Sequence, residues 1–192
     1  MDGWWLVSYL VLWIVVAVLA VVVVALARQI GTLHLRLGPR GALEVDDEGP
    51  PLGEAPESIE ALDLDGRSVV VGGPGGTRVL MFVSPGCIVC ERVIPGFRAA
   101  ANDAGMDAAF VTELDRDEAA HAFATAKLPA RLIPAPELVR SYDVPGTPFV
   151  VVLDELGVVR AKGTPNDLEQ LEGLIDTARR RMKQPARDGH VS

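Results

Sequence analysis

The chain opens with a long run of apolar positions. Residues 4–27 contain no charged side chain and carry hydroxyls only at Ser8 and Tyr9. At about 1.5 Å per residue, a helix of this length crosses a hydrocarbon core of about 30 Å. The pattern predicts a transmembrane anchor at 4–27, with Trp4 and Trp5 at the end, where aromatic side chains favour the membrane interface.

A cleaved signal peptide is the alternative to a retained anchor. The segment Ala25-Leu26-Ala27 has the small-x-small form of a cleavage site. However, no basic residue precedes the apolar run, and the run is longer than the roughly 7–15 residues of a signal-peptide core. The retained anchor is therefore the favoured interpretation.

The pattern changes after the anchor. Residues 28–50 are rich in glycine and proline and lack a sustained helical period, as is typical of a juxtamembrane linker. Within this segment, the alternation of Leu33, Leu35 and Leu37 is also compatible with a short strand.

Residues 51–182 have the pattern of one compact domain, and residues 183–192 read as a flexible tail. Apolar runs bounded by turns predict strands, and the last of them is a hairpin. Amphipathic stretches between the strands predict helices, the last one capped by Asn166. The predicted strands are 78–84, 107–114 and a hairpin over 148–163, and the predicted helices are 91–105, 115–127 and 166–182. This order predicts an α/β fold with helices packed on a central mixed sheet.

The cluster Gly72–Gly76 precedes the first of these strands. A phosphate-binding loop would open a helix or carry a Lys-Ser/Thr pair, and neither is present. A hairpin turn is the favoured interpretation. The formal charge of −8 and pI near 4.9 also argue against nucleic acid as a partner.

Candidate chemistry lies at Cys87 and Cys90, the only cysteines in the sequence. They fall where the predicted buried strand at 78–84 gives way to a helix, so that helix N–H groups can stabilise a thiolate at Cys87. Cys90 lies one turn further on, within disulfide reach. This spacing favours a thiol–disulfide exchange pair, with an exposed sulfur that attacks and a shielded sulfur that resolves the mixed disulfide.

A metal site and an inert structural disulfide are the alternatives for the two cysteines. Structural zinc usually takes four Cys or His ligands. The histidines that remain, His34, His121 and His190, are scattered along the chain. We therefore expect no metal.

Two prolines add to the redox interpretation. Pro95 lies inside the helix that follows the cysteines, where it removes a backbone hydrogen bond. Thr147-Pro148 directly precedes the hairpin, where a proline is acceptable if it ends a loop in the cis form and packs against the disulfide.

With these features the domain resembles thioredoxin-like proteins. The resemblance implies that Cys87 is the nucleophile, Cys90 the resolving cysteine and Pro148 a cis-proline, with Thr147 offering its backbone to an extended substrate segment. Pro95 would be structural. No cofactor is implied beyond the redox-active Cys87–Cys90 disulfide.

A narrower resemblance covers nearly the whole chain. The segments 27–43, 82–97 and 153–174 are similar to the MauD family of methylamine utilization proteins. In that family the protein is associated with assembly of the methylamine dehydrogenase small subunit, which is rich in disulfides. The resemblance implies that this subunit is the client, with a membrane redox partner that resets the pair, and that the domain lies on the extracytoplasmic, periplasmic side of the inner membrane.

Two features oppose parts of this interpretation. Met81 stands where thioredoxins have a buried acid, and Gly86 stands where they have Trp, so general reductase activity is in doubt. Arg28, Arg36 and Arg40 follow the anchor, which by the positive-inside rule favours a cytoplasmic domain. The alternatives are a thiol reductase of the cytochrome c assembly type and a non-catalytic binding scaffold.

Overall fold

The computed structural model describes residues 3–36, 48–128 and 130–183, in two units, Met1–Arg40 and Gly41–Ser192. The predicted tail from residue 184 and most of the predicted linker therefore lie outside the described residues. The domain boundaries stay predictions.

The described residues of the first unit form a single helix, α1 (Gly3–Arg36). Within it, Gly3–Val22 has a mean hydropathy of 2.7 and is long and apolar enough to cross a membrane. The helix continues past the predicted end of the anchor at residue 27. The alternative of a short strand at Leu33, Leu35 and Leu37 is wrong for the first two residues, because the chain is helical through Arg36. Leu37 lies outside the described residues.

The second unit contains seven strands and four helices among the described residues. In chain order they are β1 (Ile59–Leu62), β2 (Ser68–Val71), β3 (Arg78–Phe82), α2 (Ile88–Asp103), β4 (Asp107–Thr112), α3 (Arg116–Ala122), β5 (Arg131–Pro134), α4 (Pro136–Ser141), β6 (Phe149–Leu153), β7 (Val159–Gly163) and α5 (Leu168–Lys183).

Five strands form a mixed sheet in the order β5-β4-β3-β6-β7. Strands β3, β4 and β5 are parallel, whereas β6 and β7 run antiparallel to their neighbours. Phe82 at the end of β3 pairs with Phe149 at the start of β6. This register places the loop after β3 beside the loop before β6, and the predicted α/β architecture is confirmed.

Side chains of β3 alternate between two buried layers, as the pleat of a strand requires. One layer, which we call the cysteine face, contains Val79 and Met81 together with Cys90 and the buried sides of α2 and α5. The other layer, which we call the hairpin face, contains Leu80 and Phe82 and is covered by β1, β2 and α4. Both faces are apolar, which explains the continuous apolar run of β3 in the sequence.

Several local predictions were wrong or incomplete. Strands β1, β2 and β5 and helix α4 are too short for their periodicity to stand out. The glycine cluster at 72–76 is not a hairpin turn, because β2 pairs with β1 while β3 pairs with β4 and β6; it joins two sheets. Helix α3 ends at Ala122, and the chain then turns to reach the sheet edge at β5.

The cap of α5 differs from the prediction by one residue. The Asp167 carboxylate accepts a hydrogen bond of 2.9 Å from the N–H of Gln170. Asn166 instead donates its N–H to the Gln170 side chain at 2.8 Å. Asp167 therefore occupies the capping position, because its oxygen reaches a free N–H of the first turn.

Candidate active site

Cys87 and Cys90 are joined by a disulfide, with their Cα atoms 5.2 Å apart. Cys87 is the N-cap of α2 and has an extended backbone, and its carbonyl accepts the N–H of Glu91 at 3.2 Å. The structure thus places both cysteines where the sequence predicts them, at the first turn of a helix that follows a buried strand.

The two sulfurs have different surroundings. Cys90 is only 1% exposed and packs in the cysteine face, whereas Cys87 is partly exposed. The N–H of Cys90 donates to the sulfur of Cys87 at 3.1 Å. A helix N-terminus and a directed N–H both favour negative charge on a sulfur at this position. The arrangement therefore suits Cys87 as the attacking sulfur and Cys90 as the shielded one.

The turn that presents Cys87 needs a glycine. Ser84, Pro85 and Gly86 connect the end of β3 to α2, and Gly86 has φ of +72°. A side chain is strained in this left-handed region. This backbone conformation gives a physical reason for glycine at position 86.

The loop before β6 lies against this turn. Thr147-Pro148 is a cis peptide, with Pro148 buried and Thr147 exposed. The carbonyl oxygen of Thr147 lies 3.6 Å from the sulfur of Cys87. Thr147 thus lies at the protein surface beside the disulfide.

Ser84 is a site residue that sequence reasoning did not single out. Its hydroxyl lies 2.6 Å from the hydroxyl of Thr147, and its carbonyl accepts the N–H of Cys87 at 3.4 Å. The only signal in the sequence is a hydroxyl three positions before a candidate nucleophile. Its partner is 63 residues away, so the pairing emerges only from the β3–β6 register.

Pro95, Met81 and Ile88 differ in how far they are exposed. Pro95 lies inside α2 and is exposed. Met81 is fully buried in the same apolar layer as Cys90. Ile88, directly after Cys87, is 69% exposed and gives the rim of the site an apolar side chain.

No protein-family model matches the chain. Curated relatives do. The chain is 32% identical to the methylamine utilization protein MauD of Paracoccus denitrificans, over 93% of this chain and 91% of that protein. It is 33% identical to MauD of Methylorubrum extorquens, over 88% and 84%, and 33% identical to MauD of Methylobacillus flagellatus, over 93% and 88%. The chain belongs to the MauD family.

Solved structures show the fold of this MauD family member. The exposed lipoprotein thioredoxin of Streptococcus pneumoniae aligns with a TM-score of 0.56 at 16% identity, covering 65% of this chain and 99% of that one. The thioredoxin domain of a thiol-disulfide oxidoreductase from Bacteroides vulgatus aligns with a TM-score of 0.52 at 21% identity, covering 66% and 99%. The fold is therefore thioredoxin-like, as the sequence predicts.

Family, fold and disulfide together support a thioredoxin-like disulfide function. The apolar segment of α1 supports membrane anchoring. The individual roles of Cys87, Cys90, Thr147, Pro148 and Pro95 stay predictions.

Proposed function

We propose that this MauD family protein is a membrane-tethered thiol–disulfide oxidoreductase or isomerase that assists maturation of the methylamine dehydrogenase small subunit. The observation that carries the proposal is the asymmetric disulfide. A partly exposed Cys87 caps α2 beside the Thr147 carbonyl, while Cys90 is buried behind it. This geometry suits attack at one sulfur and resolution by the other.

Exchange on this site is a balanced two-electron reaction. Starting from the oxidised pair, a client thiolate attacks the sulfur of Cys87, forms a mixed disulfide and releases Cys90 as a thiolate, which takes up a proton. A second client thiolate then attacks the client sulfur of the mixed disulfide, so that a client disulfide forms and Cys87 leaves. The client loses two electrons, and Cys87 and Cys90 become thiols. The reverse sequence reduces a client disulfide.

The buried position of Cys90 favours this order of events. A client sulfur reaches Cys87 from solvent, whereas Cys90 is covered by α2 and the sheet. The exposed Thr147 backbone supplies a strand-like binding edge for the client segment next to the reacting sulfur. A membrane thiol–disulfide partner would reset the pair after each cycle.

Family membership and redox chemistry support this choice of client and compartment. The relatives are named for methylamine utilization. Disulfide formation requires an oxidising compartment, so we place the second unit on the extracytoplasmic side. Arg28 and Arg36, which follow the apolar segment, favour the opposite orientation, and the orientation is therefore tested together with the client.

Trapping tests the client. The full-length Cys90→Ala variant is expressed in its native host during growth on methylamine, and proteins disulfide-linked to Cys87 are identified. In this variant Cys87 attacks a client disulfide, and without Cys90 to resolve it the mixed disulfide accumulates. We expect the dehydrogenase small subunit in a band that a reductant dissolves. The matched control is the Cys87→Ala/Cys90→Ala variant, which forms no such band.

The outcomes separate the alternatives. Capture of cytochrome-assembly proteins would instead indicate a general reductase. If no band appears and cells with both cysteines replaced still mature the dehydrogenase, the protein is a non-catalytic scaffold. In the same cells, labelling of reduced Cys87 by a membrane-impermeant thiol reagent reports the side of the membrane. Labelling only after cell lysis would contradict the extracytoplasmic placement.

A further inference from the structure

The hydroxyl of Ser84 connects the two loops that form the site. Its 2.6 Å contact with the hydroxyl of Thr147 has the length of an ordinary O–H···O hydrogen bond. The backbone carbonyl of Ser84 also accepts the N–H of Cys87 at 3.4 Å. Ser84 therefore contacts the nucleophile's backbone on one side and the loop before β6 on the other.

Two backbone groups act on the sulfur of Cys87 in opposite senses. The N–H of Cys90, at 3.1 Å, points positive charge at the sulfur and stabilises a thiolate. The Thr147 carbonyl, at 3.6 Å, presents partial negative charge. It can accept a hydrogen bond from the protonated thiol, but it repels the thiolate. The separation between this carbonyl and the sulfur therefore influences how readily Cys87 ionises.

The Ser84 side chain lies within hydrogen-bond distance of Thr147. Thr147 is exposed. Among the described residues, its hydroxyl is hydrogen-bonded to the side chain of Ser84. An exposed loop residue without such a bond has more freedom to move away from the helix.

We propose that Ser84 is a positioning residue for the exchange reaction, whose hydroxyl holds the Thr147 carbonyl against Cys87 and so limits the stability of the Cys87 thiolate. The inference rests on the proposed function only in taking Cys87 as the attacking sulfur. Ser84 lies outside the Cys-x-x-Cys segment and helps to set the redox equilibrium of Cys87 and Cys90.

Removal of the hydroxyl should make the pair a stronger oxidant. Two glutathione thiols reduce the Cys87–Cys90 disulfide, giving two protein thiols and one glutathione disulfide. In full-length Ser84→Ala, in detergent, we expect this equilibrium to move toward the reduced protein by roughly three- to tenfold, because a single hydrogen bond is lost. A tenfold change corresponds to about 30 mV. Alkylation of reduced Cys87 should also reach its half-maximal rate at a lower pH.

Thr147→Val removes the same bond from the other side while keeping the branched side chain. We expect it to produce the same shifts, and the double variant Ser84→Ala/Thr147→Val to shift them no further, because both changes delete one interaction. Ser84→Thr, which keeps a hydroxyl, should restore the parent values. If Ser84→Ala does not fold, Thr147→Val and Ser84→Thr still test the bond.

The matched control is Ser68→Ala. Its hydroxyl makes a bond of the same length, 2.6 Å, to Glu60 on the β1–β2 hairpin, and its loss should leave both measurements unchanged. Unchanged values in Ser84→Ala, a shift toward the oxidised protein, or additive effects of the two variants would overturn the inference. Because the readouts use glutathione and an alkylating reagent, a missing client leaves this inference standing. An unaffected Ser84 variant likewise leaves the client proposal standing.

Discussion

Both faces of the central sheet are apolar, but only the cysteine face includes residues of the disulfide. Along β3, Met81 points to the cysteine face and Phe82 to the hairpin face, and both are buried. The cysteine face includes Cys90, whose sulfur is bonded to that of the partly exposed Cys87. In the hairpin face aromatic rings pack together. The ring centroid of Phe82 lies 5.9 Å from that of Tyr142 and 6.3 Å from that of Phe149. Apolar burial alone therefore does not mark the functional side of the sheet.

Tyr142 shows the cost of complete burial on the hairpin face. Its side chain is fully buried, and its hydroxyl has no hydrogen-bond partner among the described residues. Burial raises the pKa of Tyr142 from 10.0 to about 12, with a smaller opposing effect from the positive charge of Arg78. On the cysteine face, by contrast, the reactive sulfur of Cys87 receives an N–H from Cys90.

The largest expected effect is on the cysteine face. Cys87→Ala should reduce catalysed disulfide exchange to the background rate, because the attacking sulfur is lost, and Cys90→Ala should reduce it strongly, because only glutathione is left to resolve the mixed disulfide. The measurement is reduction of a disulfide-bonded test protein by glutathione with the full-length variants. Both should still unfold cooperatively. Turnover by Cys87→Ala above the background rate would mean that Cys87 is not the attacking sulfur.

Two buried leucines, one on each face, allow the contributions of the two faces to the free energy of unfolding to be compared. Leu138 on α4 packs in the hairpin face and Leu171 on α5 in the cysteine face, and both are fully buried. Leu→Ala at either site should lower the free energy of unfolding by about 2–5 kcal/mol through lost contacts and a cavity. The measurement is denaturant unfolding of the full chain.

Only the cysteine-face variant should also alter the chemistry. Helix α5 packs against α2, whose first turn carries the cysteines, so Leu171→Ala should change the glutathione equilibrium. Leu138→Ala should leave it unchanged, because α4 packs on the other side of the sheet. An equal redox shift in both variants would show that the faces are not independent.

The smallest expected effect is at Tyr142. Tyr142→Phe removes a buried hydroxyl without a partner and should raise the free energy of unfolding by about 1 kcal/mol at neutral pH. In the parent protein, an unfolded chain loses the tyrosine proton near pH 10 while the folded one holds it until about pH 12. Stability should therefore fall as pH rises through this window, by about 3 kcal/mol at most.

The phenylalanine variant supplies the control for this pH dependence. Its free energy of unfolding should decline less at alkaline pH than that of the parent protein. Its redox equilibrium should be the same as that of the parent protein. Identical alkaline profiles for the two proteins would contradict the assignment to Tyr142.

Several parts of the site could be predicted from the sequence because they depend on near neighbours. The cysteine spacing, the apolar run before Cys87 and the position of Pro95 in the following helix are local features, and the structure places each as expected. Strands of four residues such as β1 and β5 were missed, because so short a run shows no clear period. Their places are fixed by pairing with distant strands.

The sequence by itself determined the apolar helix at the start of the chain, the alternation of strands and helices, and the Cys87–Cys90 pair at a helix start. These features follow from hydrophobic period and local backbone preference. Only the tertiary structure decided that Ser84 meets Thr147 and that the Tyr142 hydroxyl lacks a hydrogen-bond partner among the described residues. The physical reason is that such contacts depend on strand register across the sheet, which joins residues far apart in the chain.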